Sequence, residues 1–143
     1  MEINENEVKL HPVSTNDIRF LYKLLKEREP RTNISHKKMP SFSEHKKFVT
    51  CNPYDKWYIL KLKNKKIGSV YLTTQNEIGI FIKKNIQGNN LGKQALSLII
   101  SKNPRKRYLA NVNPKNSKSI RFFKNNGFRL VQHTYEINKN FKT

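Results

Sequence analysis

Apolar residues recur at two spacings along this chain, and the switches between them order its elements. Val8–His11 reads as a short strand that Pro12 ends. Ile18, Leu21, Tyr22, Leu24 and Leu25 then repeat at three- and four-residue intervals, which predicts a helix. Ser14, Thr15 and Asp17 open it, and it runs to about Glu27, because Pro30 disfavours helix in the residue before it. Residues 28–41 have no period and two prolines, so they read as a loop. Ser43 is expected to cap a short helix, EHKKFV, that Asn52-Pro53 stops. Trp57–Leu62 is a strand by its aromatic and branched content, and Asn64-Lys65 turns it into a second, Ile67–Thr74. Glu77–Ile82 (EIGIFI) is apolar on both faces and therefore central. A polar Gly/Asn-rich loop, Gln87–Gly92, feeds a helix over Gly92–Ser101. Tyr108–Val112 reads as a strand, Asn116–Asn125 as a helix closed by Gly127, and Phe128–Ile137 as a last strand. The order βααβββαβαβ predicts a mixed α/β sheet in one domain with no internal boundary.

Composition narrows this picture. A chain of 143 residues is one domain's worth, and 36% apolar with 10% aromatic residues is enough for a single core. One cysteine, Cys51, excludes a disulfide framework and a multi-cysteine metal site, so no metal is expected. No apolar run approaches the ~20 residues of a membrane span, and the acidic start MEINENE is unlike a signal peptide. The expectation is a soluble, cytoplasmic domain with no membrane partner.

Charge changes the picture more. Residues 1–55 carry 10 basic and 8 acidic side chains, whereas residues 56–143 carry 19 basic and only two acidic, Glu77 and Glu136. A net charge of +19 draws in anions, which admits phosphate-bearing ligands or nucleic acid. However, 22 Lys, 18 Asn and 13 Ile are the residues of A/T-rich codons, and only 7 Arg are present. Nucleic-acid readers lean on Arg for bidentate base contacts, so codon composition competes as the source of the charge.

The informative stretch is strand–QGNNLG–helix, residues 77–101. Gly and Asn let a backbone take positive φ, and successive N–H groups at a helix start can hold an anion. The stretch matches neither the Walker loop nor the dinucleotide GxGxxG. Taken alone it could equally be a tight turn.

Gln87-Gly88-Asn89-Asn90-Leu91-Gly92 resembles the pyrophosphate loop of the GCN5-related N-acetyltransferase (GNAT) superfamily, [QR]-x-x-G-x-[GA], and follows a strand as that loop does. Asn90 stands where the motif has Gly. Asn111-Val112-Asn113-Pro114-Lys115-Asn116 and Ser119, followed by Phe122–Phe128, are similar to that family's V-x-P-x-N-x-x-S…GF segment. The resemblance implies a GNAT-like fold: a mixed central sheet of six to seven strands, splayed at its centre and flanked by about four helices. It further implies an acceptor-side segment, 1–55, and an acetyl-CoA-binding core, 56–143.

By the same resemblance, Gln87, Gly88, Asn89, Asn90, Leu91 and Gly92 hold the pyrophosphate, and Lys93 meets other phosphates by charge. Backbone groups of Phe81 and Ile82 flank the pantetheine and thioester, and an N–H there would stabilise an oxyanion by ~3 kcal/mol. Asn116, Ser119 and Phe123 flank the coenzyme from the next helix; the plain alternative for Asn116 is a helix cap. Glu77 is the candidate base, against a strand-end carboxylate paired with a nearby Lys. Phe123 stands where the family usually has its acidic Tyr, which leaves the proton donor open: solvent, or a group elsewhere, with Tyr71 and Tyr135 as unplaced candidates.

The pattern Ile34-Ser35…Ser43-Glu44-His45 is similar to a segment of acetyltransferases acting on amino-sugar nucleotides and on some proteins. Arg28, Arg31 and Lys37 would then suit a diphosphate, and Trp57 or Tyr54 would stack on a base. His45 would orient a hydroxyl or act as a second base; the alternative is a solvated helix-surface histidine. Acetyl-CoA and a primary amine are the implied substrates, an amino-sugar nucleotide favoured, with direct transfer in a ternary complex. A protein or peptide acceptor is the competing reading, a basic nucleic-acid binder the third. The chain is expected as a monomer or homodimer.

Overall fold

The computed structural model describes residues 7–28, 39–86, 88 and 90–139. Strand β1 (Lys9–Pro12) leads through a 3-10 turn (Thr15–Asp17) into α1 (Ile18–Lys26). Helix α2 (Phe42–Thr50) precedes a meander of β2 (Lys56–Leu62), β3 (Lys65–Leu72) and β4 (Ile78–Ile82). A second 3-10 turn (Lys84–Ile86), α3 (Leu91–Lys102) and α4 (Ser117–Asn125) follow. The sheet runs β1-β2-β3-β4, each pair antiparallel. Among the described residues no helix is long and apolar enough to cross a membrane.

Period-two alternation assigns each sheet face its own layer. Tyr58, Leu60, Val70, Leu72 and Ile78 face α3, where they bury Leu91, Ala95, Leu96 and Ile99. Ile59 faces the other way and packs on Ile18 and Leu21 of α1 and Val49 of α2. Each such fully buried side chain contributes about 1.5–3 kcal/mol relative to exposure. The sheet is thus sandwiched, which explains why EIGIFI is apolar on both faces.

Several boundaries differ from the sequence reading. Ser41, not Ser43, caps α2: its Oγ accepts from Glu44 N–H at 3.1 Å while Glu44 Oε1 accepts from Ser41 N–H at 3.3 Å. Both serines precede an acid, but only Ser41 stands three residues before Glu44, as a reciprocal box requires. The β2–β3 turn uses Lys63 and Asn64, at φ 52° and 63°, rather than Asn64-Lys65. Most consequentially, the sheet has four strands among the described residues and not six to seven. Tyr108–Val112 makes a single parallel bridge, Glu77 to Leu109, and residues 128–137 form no ladder. Leu130, Val131, Tyr135 and Ile137 of that last segment are exposed. Strand propensity reads side chains, whereas a strand exists only where an edge offers hydrogen bonds.

Asp17 ties α1 to the sheet. Its carboxylate accepts from Ser14 N–H at 2.8 Å and meets Lys66 Nζ at 2.6 Å. Burial pushes this carboxyl up, but the Lys66 and Ser14 hydrogen bonds outweigh it and hold the group below the ordinary aspartate range. A depressed value means stability present above pH ~4 and lost as pH falls through the folded-state value. Asp17→Asn should therefore lower stability at neutral pH and flatten the acid limb of a pH–stability curve measured by urea unfolding.

Candidate active site

The side expected to take the coenzyme begins where β4 and the chain around Leu109 part. Ile78 N–H donates to Leu109 O at 2.8 Å, and Leu109 N–H to Asn76 O at 2.8 Å. Beyond this one bridge the described backbone shows no further pairing between the two. Alternation then decides what β4 presents along the opened edge. Glu77 O accepts from Thr73 N–H and Lys83 N–H donates to Ile67 O, so odd-numbered backbone groups face β3. Ile78 faces outward, and with it Ile80 and Ile82. Of the two backbone positions expected near the thioester, Ile82 therefore lies on the outward edge, while Phe81 is turned to β3.

The phosphate-loop region lies between the 3-10 turn and α3. Asn90 takes the left-handed conformation, φ 59° and ψ 28°, as an Asn in place of Gly can. Gly88 sits at φ 114°, and a Cβ added there meets nothing within 4 Å, so the space over the loop is open. That open cradle at the start of a 12-residue helix fits a diphosphate held by backbone N–H groups. Gln87 and Asn89 lie outside the described residues. Leu91 is buried under the sheet, so its contribution is its backbone; Lys93 is exposed on the first turn.

Other expectations on this side resolve differently. A Cβ at Gly92 would meet the Phe122 ring at 3.1 Å, so this glycine lets α4 approach α3. Asn116 is the cap of α4: its Oδ1 accepts from Ser119 N–H at 3.2 Å. Phe123 packs edge-on against Phe122 and Phe128, with ring centroids 5.1 Å away in each case.

Glu77 stands at the fork. Thr73 Oγ donates to Glu77 Oε1 at 3.1 Å and accepts from Glu77 N–H at 3.0 Å. Asn111 Nδ2 donates to the other carboxylate oxygen. Arg105 braces the same turn, donating to Thr73 O at 2.6 Å and Asn76 Oδ1 at 3.0 Å while pairing with Asp55. Glu77 is thus held by neutral donors, and the expected strand-end lysine pairing does not form among the described residues. Sequence reasoning missed Thr73 and Asn111; polar residues flanking the sole acid of that stretch were the available signal.

On the opposite face a cavity of about 550 Å³ opens between α1, α2 and the sheet. Arg28, His45, Tyr54, Trp57, Tyr71 and Phe81 supply its distinctive chemistry. Three of the four residues expected at the acceptor therefore meet there: Arg28, His45 and Trp57. Arg31 and Lys37 lie outside the described residues. His45 is buried, with its ring 5.3 Å from that of Tyr22, which overturns the helix-surface alternative. Tyr54 and Tyr71 stack at 3.9 Å and 4° between planes. Side chains 77, 79 and 81 share one face of β4, and an added Cβ at Gly79 would fall 2.2 Å from the Tyr71 ring. Tyr71 therefore fills the place that Gly79 leaves between Glu77 and Phe81. Burial pushes its hydroxyl up, the Arg28 charge pulls it down, and Glu77 pushes it up again, with a net rise. Tyr135, the other open candidate, is 90% exposed beyond α4.

Comparison with known proteins agrees with this geometry. The profile of the acetyltransferase (GNAT) family matches residues 18–128. No curated protein matches the chain in sequence. An acetyltransferase from Thermus thermophilus superposes with a TM-score of 0.73 at 21% identity, over 91% of this chain and 92% of that one. RimL, a ribosomal L7/L12 alpha-N-protein acetyltransferase in complex with coenzyme A, gives 0.72 at 17% identity, over 88% and 82%. A mutant of the spermidine N-acetyltransferase SpeG from Vibrio cholerae gives 0.70 at 18% identity, over 89% and 82%. At these identities the structural likenesses speak to the fold, and the family match carries the rest. The chain belongs to the acetyltransferase (GNAT) family, whose members use acetyl-CoA as co-substrate.

Proposed function

We propose that this N-acetyltransferase acts on the primary amine of a small metabolite bound in the aromatic cavity, an amino-sugar nucleotide being the favoured acceptor. The observation that carries the reading is the arrangement of Glu77, Tyr71 and Phe81 along one face of β4, with the cavity at the Phe81 end and the opened strand edge beside it. A 550 Å³ cavity lined by aromatic rings has the size and character of a small-molecule site.

Acetyl-CoA supplies the acetyl group as an activated thioester. Glu77, fixed by Thr73 and Asn111, takes the ammonium proton through a water and frees the amine lone pair. The outward N–H of β4 at Ile80 stabilises negative charge on the carbonyl oxygen as the C–N bond forms. Tyr71 replaces the missing hydroxyl at Phe123: burial favours its protonated form, its proton goes to the sulfur as the C–S bond breaks, and the phenolate takes back the surplus proton of the new amide nitrogen. His45 packs at the cavity wall and orients the acceptor. Arg28 and Trp57 bind the acceptor from the far side of the stacked tyrosines, and Asn116, Ser119 and Lys93 serve the coenzyme from the α3–α4 side.

Glu77→Gln should lower kcat by about 100-fold or more while acetyl-CoA affinity, read by calorimetry, stays constant; unchanged turnover removes Glu77 from the mechanism. Tyr71→Phe should also depress kcat, and the high-pH fall in wild-type kcat should lie above pH ~10 because the phenol titrates late. Gly79→Ala should displace the Tyr71 ring and cost activity with acetyl-CoA binding retained. An amine panel scored by thiol release, with amino-sugar nucleotides, polyamines and peptides as arms, decides the acceptor; acetylation of peptides alone would replace the small-molecule reading.

A further inference from the structure

Among the described residues, the cation in the acceptor cavity has no counter-ion. The Arg28 guanidinium lies over the Phe81 ring, 3.9 Å from its centroid. It is half-buried, and burial draws its pKa down, offset in part by the neighbouring tyrosines. Among the described residues no carboxylate forms an ion pair with it. The carboxylate of Glu44, also in the cavity wall, is engaged at the α2 cap with Ser41, and that of Glu27 accepts from Lys84 N–H at 3.2 Å. Desolvating a guanidinium is costly unless an opposite charge or a full set of acceptors compensates. A ring face recovers only part of this.

A second observation points the same way. Trp57, in the same wall, keeps its indole N–H buried with no hydrogen-bond partner among the described residues. Such an unpaired donor is uncommon and costly in a folded protein. The cavity therefore presents a charged planar fork with no counter-ion among the described residues, beside a tryptophan whose buried N–H is unpaired and around a stacked tyrosine pair. These are complementary to an anion on a flat body. They repel a polycation.

We infer that the acceptor carries, on a flat ring-bearing body apart from its amine, an anionic group that the Arg28 guanidinium binds in the aromatic cavity, which excludes polyamines as substrates. This rests on the acceptor assignment made under the proposed function, and it narrows that assignment. Carboxylate and phosphate share the chemistry, both accepting two parallel hydrogen bonds from a guanidinium.

The test uses four amines against acetyl-CoA: phenethylamine, 4-(2-aminoethyl)benzoate, tyramine O-phosphate and spermidine. One or both anionic amines should show KM values about 10–100-fold below phenethylamine, as a charge-assisted hydrogen bond implies, and spermidine should be the poorest. The better of the two names the anion. Arg28→Gln should bring the KM ratio of anionic to neutral amine towards one, and Arg28→Lys, which keeps the charge but loses the fork, should restore part of it. Calorimetry with 4-ethylbenzoate and phenyl phosphate, without acetyl-CoA, reads binding independently of turnover. Arg28-dependent anion binding without acetylation of any amine would sustain the anion site and defeat the transfer assignment. Equal KM values across the anionic and neutral amines, a preference for spermidine, or anion binding that survives Arg28→Gln would overturn the inference.

Discussion

A single parallel bridge between Glu77 and Leu109 decides how the sheet ends at β4. Had the pairing continued, the N–H and C=O groups of Ile80 would be consumed by a neighbouring strand. Because it stops, β4 has no ladder partner on that edge among the described residues, and the proposed mechanism uses this edge for the thioester. The fork is braced rather than loose. Arg105 joins the 73–76 turn to Asp55, and Tyr108 accepts from Arg105 N–H at 2.8 Å while donating to Asn103 O at 2.6 Å. This holds the end of α3 and the Leu109 segment in register with β4.

The two sheet faces divide the labour. Towards α3 the side chains are, Tyr58 apart, aliphatic and mostly buried, so that face supplies stability and fixes the helix whose start turns the Gly88–Asn90 loop. Towards α1 and α2 Ile59 fills a smaller core, and the same strands carry Trp57, Ser69, Tyr71 and Phe81, which wall a cavity. A glycine opposite a tyrosine is the device that makes room: Gly79 lets the Tyr71 ring lie flat on β4. The distribution of charge follows the division. The chain after residue 55 is short of acids and rich in lysine, which suits a polyphosphate coenzyme, whereas Arg28 brings the cavity a cation from the nearly balanced first 55 residues.

Legibility varied with how local each interaction is. The left-handed Asn90 could be read from a Gly-rich loop because only Gly and Asn adopt that conformation cheaply. The amphipathic stripe of α1 was equally plain. The cap of α2 was misplaced by two residues because both serines look alike until the reciprocal bond with Glu44 is seen. The strands at 108–112 and 128–137 were over-read, since Tyr, Val and Ile fit a pleated surface whether or not an edge stands beside them. His45 was open between the surface and the site, and only the packing of Tyr22 and Phe48 around it decides for burial.

Residue order alone carried the family, the loop that turns into α3, the succession of elements and the isolation of Glu77 among cations. These are properties of neighbouring residues, set by backbone preference and by count. Packing in three dimensions settled the rest: that the sheet opens after one bridge, that Tyr71 rather than Phe123 stands beside the acid, and that Arg28 is a cation among aromatic rings. Each of these depends on which side chains from distant segments meet, on register and burial, and no local pattern encodes that.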